Sequence, residues 1–171
     1  MTTEGAFDPE SVLASLEREK VRYVVIGGLA AVLQGSPVFT QDVDICPARD
    51  RENLERLARA LRSLTARIRT DDVPEGFPFA CDPEFFERIE LVNLITPYGP
   101  VDVSFIPSGT KGYADLIAKA HTLDLGPALQ PIVADLADII RSKEAANRPK
   151  DVAALPVLRT LLAEIRRRER P

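Results

Sequence analysis

The chain has 171 residues, 45% of them hydrophobic, with 22 Lys and Arg against 26 Asp and Glu for a net charge of -4; a chain of that length buries roughly 70% of its unfolded surface, enough for one core. No apolar run approaches the about 20 residues that span a bilayer, and Met1 to Pro9 lacks the basic and apolar regions of a signal peptide, so a cytoplasmic protein is expected. The acidic balance excludes a generally basic surface but leaves room for a local basic groove, and Cys46 and Cys81, without metal-ligand spacing, read as packing thiols.

Asp8-Pro9 ahead of Val12, Leu13 and Leu16 predicts a capped helix ending near Lys20. Val21 to Ile26 is short and β-branched, a buried strand, and the pair Gly27-Gly28 turns it into a helix over Leu29 to Gln34 that Gly35 stops. Val43 and Ile45 alternate with Asp42 and Asp44, which defines a strand with one apolar and one acidic face. Leu54, Leu57, Ala58, Leu61 and Leu64 recur at helical spacing from Arg51 to Leu64. Thr70 to Pro83, broken by Pro74, Gly76 and Pro78, reads as a loop. Ile89 to Ile95 and Pro100 to Ile106, joined by Thr96-Pro97-Tyr98-Gly99, predict an antiparallel hairpin. Helical periodicity follows at Tyr113 to Ala120, Ala134 to Ala146 and Val152 to Arg167, with a short strand pair between Thr122 and Val133. The expected class is α+β: a small mixed sheet flanked by helices, with a core over residues 1–125 and a helical C-terminal extension over 126–171 closing one side of a cleft.

Chemistry concentrates in the acidic residues. Asp42 and Asp44, two apart on a strand, leave the same face, and carboxylates that close repel unless a cation separates them. Asp102 stands alone among Val101, Val103 and Phe105 on the second hairpin strand, where an unpaired charge would cost several kcal/mol. If the two strands adjoin, three carboxylates converge on hard-cation chemistry: Mg²⁺, in a pair about 4 Å apart, with Mn²⁺ as a substitute. Such a pair serves phosphoryl or nucleotidyl transfer, and the bare backbone at Gly27 and Gly28 lets a phosphate approach main-chain N–H groups. Either feature alone is weak, since Asp-x-Asp is commonly a solvated face and Gly-Gly a tight turn; their order along one chain is the specific signal.

Ile26-Gly27-Gly28, a spacer, Asp42-Val43-Asp44-Ile45 and a later lone Asp102 together resemble the DNA polymerase beta-like nucleotidyltransferase superfamily. Within it the likeness is nearest to the AbiEii/AbiGii toxin-type nucleotidyltransferases, which share a glycine and threonine before the aspartates, here Gly35 and Thr40, a helix like Leu136 to Ala146, and a run like Arg148-Pro149-Lys150-Asp151. The resemblance implies that Asp42, Asp44 and Asp102 bind metal, with Asp102 also a candidate base, and that Lys143 and Asp151 join the catalytic set. It further implies that Gly27, Gly28, Thr40, Lys143 and Lys150 border the nucleotide. An NTP substrate follows, with tRNA or a protein as acceptor and a restraining antitoxin as partner. Two positions depart from the pattern: Val38 stands where an arginine is common, and Leu29 where serine is common, so substrate contacts are expected to differ while the metal chemistry is kept.

Simpler readings compete. Asp151 fits a helix N-terminal carboxylate, Lys143 and Lys150 fit exposed helix charges, and the C-terminal arginines fit a favourable helix end. His121 reads as a surface or capping residue, and Tyr23, Tyr98 and Tyr113 as core. Two rival functions remain: a small-molecule nucleotidyltransferase of the aminoglycoside-inactivating kind, and a non-catalytic nucleotide- or partner-binding module.

Overall fold

The computed structural model describes residues 5–171; the part of the leader reading that concerns residues 1–4 lies outside them. Helix α1 (Pro9–Arg18) begins as Asp8 accepts a hydrogen bond from the Ser11 N–H at 3.1 Å, and Lys20 turns the chain out of it at φ 56°. Strand β1 (Tyr23–Ile26) runs straight into α2 (Gly27–Leu33), so the glycine pair is the first turn of the helix rather than a spacer before it. Strand β2 (Val43–Pro47) starts one residue after Asp42, and α3 (Arg51–Ser63) is capped by Asp50.

Next comes β3 (Arg67–Ile68), a strand of two residues that periodicity does not reveal, and the segment after it is irregular apart from a bridge between Ile68 and Phe77. Asp82-Pro83 opens a short α4 (Pro83–Glu87), with Asp82 accepting from Phe85 N–H at 2.8 Å. Strands β4 (Leu91–Thr96) and β5 (Gly99–Ser104) form the expected antiparallel hairpin. The chain then forms α5 (Tyr113–Ile117), the short pair β6 (His121–Thr122) and β7 (Ile132–Val133), α6 (Leu136–Ala146) and α7 (Pro149–Arg168). Helix α5 is shorter than its pattern. Asp135 caps α6 and so delays its start, while Pro149 in the first turn brings α7 forward.

The fold is mixed α+β, a seven-stranded sheet of order β3-β4-β5-β2-β1-β7-β6 with helices around it. The β2–β5 and β1–β7 pairs are parallel and the rest antiparallel. Alternation assigns the faces: Val43 and Ile45 on β2, Val92 and Leu94 on β4, and Val101 and Val103 on β5 enter the core with Leu13 and Leu16 of α1 and Leu54, Leu57 and Leu61 of α3. Cys46, of the same parity as Asp44, is buried as well, and burial pushes its thiol up to about 12. The opposite face carries Asp44, Asp102, Ser104 and Asn93. Helix α6 packs on α2 and α7 on α6, walling this face on one side. Among the described residues no helix is long and apolar enough to cross a membrane. Tyr23 is core, its hydroxyl donating to Glu17 at 2.9 Å, but Tyr98 at the hairpin turn is exposed, which corrects its assignment to the core.

Candidate active site

The parallel pairing of β2 with β5 aligns Asp44 directly with Asp102. Asp42 enters from the segment just before β2, its Oδ1 accepting from the Thr40 hydroxyl at 3.0 Å. One carboxylate oxygen of each of Asp42, Asp44 and Asp102 lies within 4.8 Å of the others, and this is the one such cluster among the described residues. All three line a cleft of about 960 Å³ over the open face of the sheet.

The surroundings are charged unevenly. Burial, reinforced by the charges of Asp42 and Asp102, pushes the Asp44 carboxyl up to about 8. Asp102 is also raised, by burial first and Asp42 next, while Arg69 opposes the shift. Arg69 donates from a guanidinium nitrogen to Asp102 Oδ1 at 3.0 Å, and its Nε is buried without a partner. The donor set fits a divalent hard cation: oxygen ligands only, converging, and with more negative charge than one arginine offsets.

The glycines meet this cluster closely. Gly27 has a left-handed φ of +65°, and a Cβ there would collide with Asp44 Oδ2; a Cβ on Gly28 would lie 3.0 Å from the Thr40 hydroxyl. Ile26 is in turn paired with Asp44 in the β1–β2 ladder. Thr40 therefore orients Asp42 and abuts the glycine turn at once. Of the two departures from the pattern, Leu29 is buried in the core while Val38 lies at the cleft beside Phe39, which is 78% exposed.

Across from the aspartates stand Lys143, Arg148, Lys150 and Asp151, on α6, on α7 and at the bend between them. Asp151 is fully buried and accepts from Lys143 Nζ at 3.3 Å, Arg148 Nε at 2.6 Å and the Arg148 N–H at 3.3 Å. Burial alone would raise its pKa, but Arg148 and Lys143 outweigh burial and lower it. Lys150 is exposed, and its charge favours the ionised form of Asp44. The residues named from the sequence thus line one cleft, but Asp151 touches its own cationic neighbours rather than the other aspartates. His121 lies outside, exposed on β6 and paired with Asp135 at 2.9 Å. Arg69 and Arg148 were not legible as site residues: Arg69 reaches Asp102 only through the β3–β4 pairing, and Arg148 was visible only as part of a motif run.

The sequence model described as aminoglycoside-2''-adenylyltransferase matches residues 10–95. Among solved structures the chain is similar to TM1012 of Thermotoga maritima, a proposed nucleotidyltransferase (20% identity, 91% of each chain covered, TM-score 0.50). It is also similar to the antibiotic-resistance factor ANT(2'')-Ia (12% identity, 94% of this chain and 90% of that one, TM-score 0.54). At these identities the likeness shows the fold. No curated protein sequence matches the chain. Together the matches support the nucleotidyltransferase superfamily and lend nothing to its toxin-type branch, to a tRNA acceptor or to an antitoxin partner.

Proposed function

Because the chain belongs to the aminoglycoside-2''-adenylyltransferase family, we propose that it transfers a nucleoside monophosphate from an NTP to a hydroxyl of a small, cationic acceptor, with Asp42, Asp44 and Asp102 holding Mg²⁺ or Mn²⁺. The observation that carries this reading is the Asp42, Asp44 and Asp102 cluster facing a cationic wall across one cleft. The metal ions supply activation of the attacking oxygen and charge neutralisation at the leaving pyrophosphate.

The chain's own groups do the rest. Gly27 and Gly28 leave room for the triphosphate to approach the backbone at the start of α2, and Lys143 and Lys150 face it from the far wall. Thr40 keeps the Asp42 carboxylate turned toward the cleft. Asp102, held at one oxygen by Arg69, takes the proton of the acceptor hydroxyl at the other. Asn93, in register with Asp102, and Ser104 on the same face of β5 form a neutral floor for the acceptor. The loop that follows Arg69 exposes Asp71, Asp72 and Glu75, charges that attract a cation and repel RNA.

Incubation with each α-labelled NTP, Mg²⁺, an aminoglycoside panel and total RNA tests the reading. Label on a small cationic acceptor, lost in Asp44→Ala, is expected. Label on RNA instead overturns the acceptor, and binding of NTP and Mg²⁺ without transfer to anything in a cell extract points to the non-catalytic module.

A further inference from the structure

Arginine is an unusual residue at a helix N-cap, because its side chain has donors only and cannot accept from the exposed N–H groups of the first turn. Arg148 occupies that position on α7. Asp151, three residues on, makes the reciprocal half of a capping box, accepting from the Arg148 N–H at 3.3 Å. The side chain of Arg148 is therefore free for another use, and two features fix where it goes. Asn147 takes a left-handed φ of 51° that ends α6 and turns the chain, and Asp151 accepts from Nε at 2.6 Å and from one terminal nitrogen at 3.3 Å. Lys143 shares the same carboxylate at 3.3 Å.

This buried anchor is saturated. The two oxygens of Asp151 receive four hydrogen bonds, from Lys143, the Arg148 backbone and two nitrogens of its guanidinium. Neither oxygen is left for a metal ion or a substrate proton. One negative charge is held against two positive ones, so the cluster keeps a surplus positive charge at the cleft, and Lys150 adds another. The Arg148 side chain is 60% exposed and lies within electrostatic reach of Asp44 and Asp102, yet makes no ion pair with either. A guanidinium fixed opposite three carboxylates without touching them leaves a gap suited to a polyanion.

We infer that Arg148 is a phosphate-binding residue for the triphosphate, gripping it through the guanidinium edge that Asp151 does not occupy, and that Asp151 is a positioning residue that acts through Arg148 and Lys143. The inference rests on the nucleotidyltransferase reading and reassigns Asp151 within it from catalyst to support.

Calorimetry with inorganic tripolyphosphate and Mg²⁺ tests it without needing an acceptor. Wild type binds, and Arg148→Ala weakens binding about 10- to 100-fold, the usual effect of losing a hydrogen bond to a charged group. Arg148→Lys recovers only part, since a point charge does not replace a planar fork. Equal binding by wild type and Arg148→Ala overturns the inference while leaving NTP turnover by the wild type to stand for the wider reading. In steady state, Asp151→Asn raises the NTP KM by a similar factor and leaves the shape of the pH–kcat profile unchanged. Loss of one limb of that profile, with KM unaltered, identifies Asp151 as the acid or base and overturns its positioning role. Absence of both tripolyphosphate binding and turnover in the wild type fails both readings together.

Discussion

Asp44 shows how one residue ties stability to chemistry. Its carboxyl is raised from an ordinary value near 3.8 to about 8, so between those values the folded chain holds a proton that the unfolded chain has released. The sign follows: the metal-free protein loses stability as pH rises from about 4 to 8, and the loss levels off above that. Asp44→Asn flattens this slope, leaving the smaller part that Asp102 contributes, which thermal melts across pH in a chelator will show, and it removes transfer activity as well. Divalent ions compete with that proton, so the melting-temperature gain on adding Mg²⁺ grows from pH 5 to pH 8; a gain independent of pH would count against coordination by this cluster. Gly27→Ala is the matching backbone test. The left-handed φ of +65° and the clash with Asp44 predict a cost of at least about 1 kcal/mol and a fall in kcat, with Gly28→Ala milder because its Cβ meets only the Thr40 hydroxyl and methine.

Individual elements are locked by unequal means, and substitutions sort them. Asn53, fully buried at the start of α3, accepts from the Arg22 N–H at 2.7 Å and donates to the carbonyls of Arg22 at 2.9 Å and Ala48 at 2.7 Å. It joins the helix to the chain ends of β1 and β2, so Asn53→Ala is expected to cost about 1–3 kcal/mol in denaturant unfolding, since the Arg22 N–H and the Ala48 carbonyl lose their partner while the Arg22 carbonyl keeps its bond from the Ala48 N–H. Arg51 also links elements, pairing with Glu55, Glu84 and Glu87 across α3 and α4, but every partner is about half exposed. Arg51→Ala should leave the denaturant midpoint close to that of the wild type, and closer still in high salt. The same contrast explains what the sequence disclosed. The Leu54, Leu57 and Leu61 stripe and the Pro97-Tyr98 turn are local patterns, so α3 and the hairpin were legible. Strand β3 is two residues held extended by partners distant from it in the chain, β4 on one side and the Phe77 bridge on the other, and α4 was missed although Asp82-Pro83 is a capping signal, because the surrounding prolines read as loop.

At the scale of the whole molecule, the site is a meeting of three stretches distant in sequence. Asp42 and Asp44 were legible because a period of two places them together, and Asp102 because an acid among valines demands a reason. That Asp44 and Asp102 lie side by side depends on β5 inserting next to β2, which no local pattern states. The cationic wall was legible only as motif positions. Its geometry, with Asp151 interior and Arg148 toward the cleft, depends on the α6–α7 bend. Helix α7 itself carries Pro156, which removes one backbone donor from its interior.

The parallel pairing of β2 with β5 also orders events in time. A chain emerging from synthesis presents Asp42 and Asp44 with only β1 to pair them, and the third carboxylate arrives after the intervening α3, β3, α4 and β4 have been made. The cations that face them come later still, on α6 and α7. The like charges are therefore forced together in a late, long-range step, the slowest kind of closure in a small domain. Refolding should accelerate when Mg²⁺ is present and slow at low ionic strength without it, and premature chains ending before Asp151 should be inert toward nucleotides.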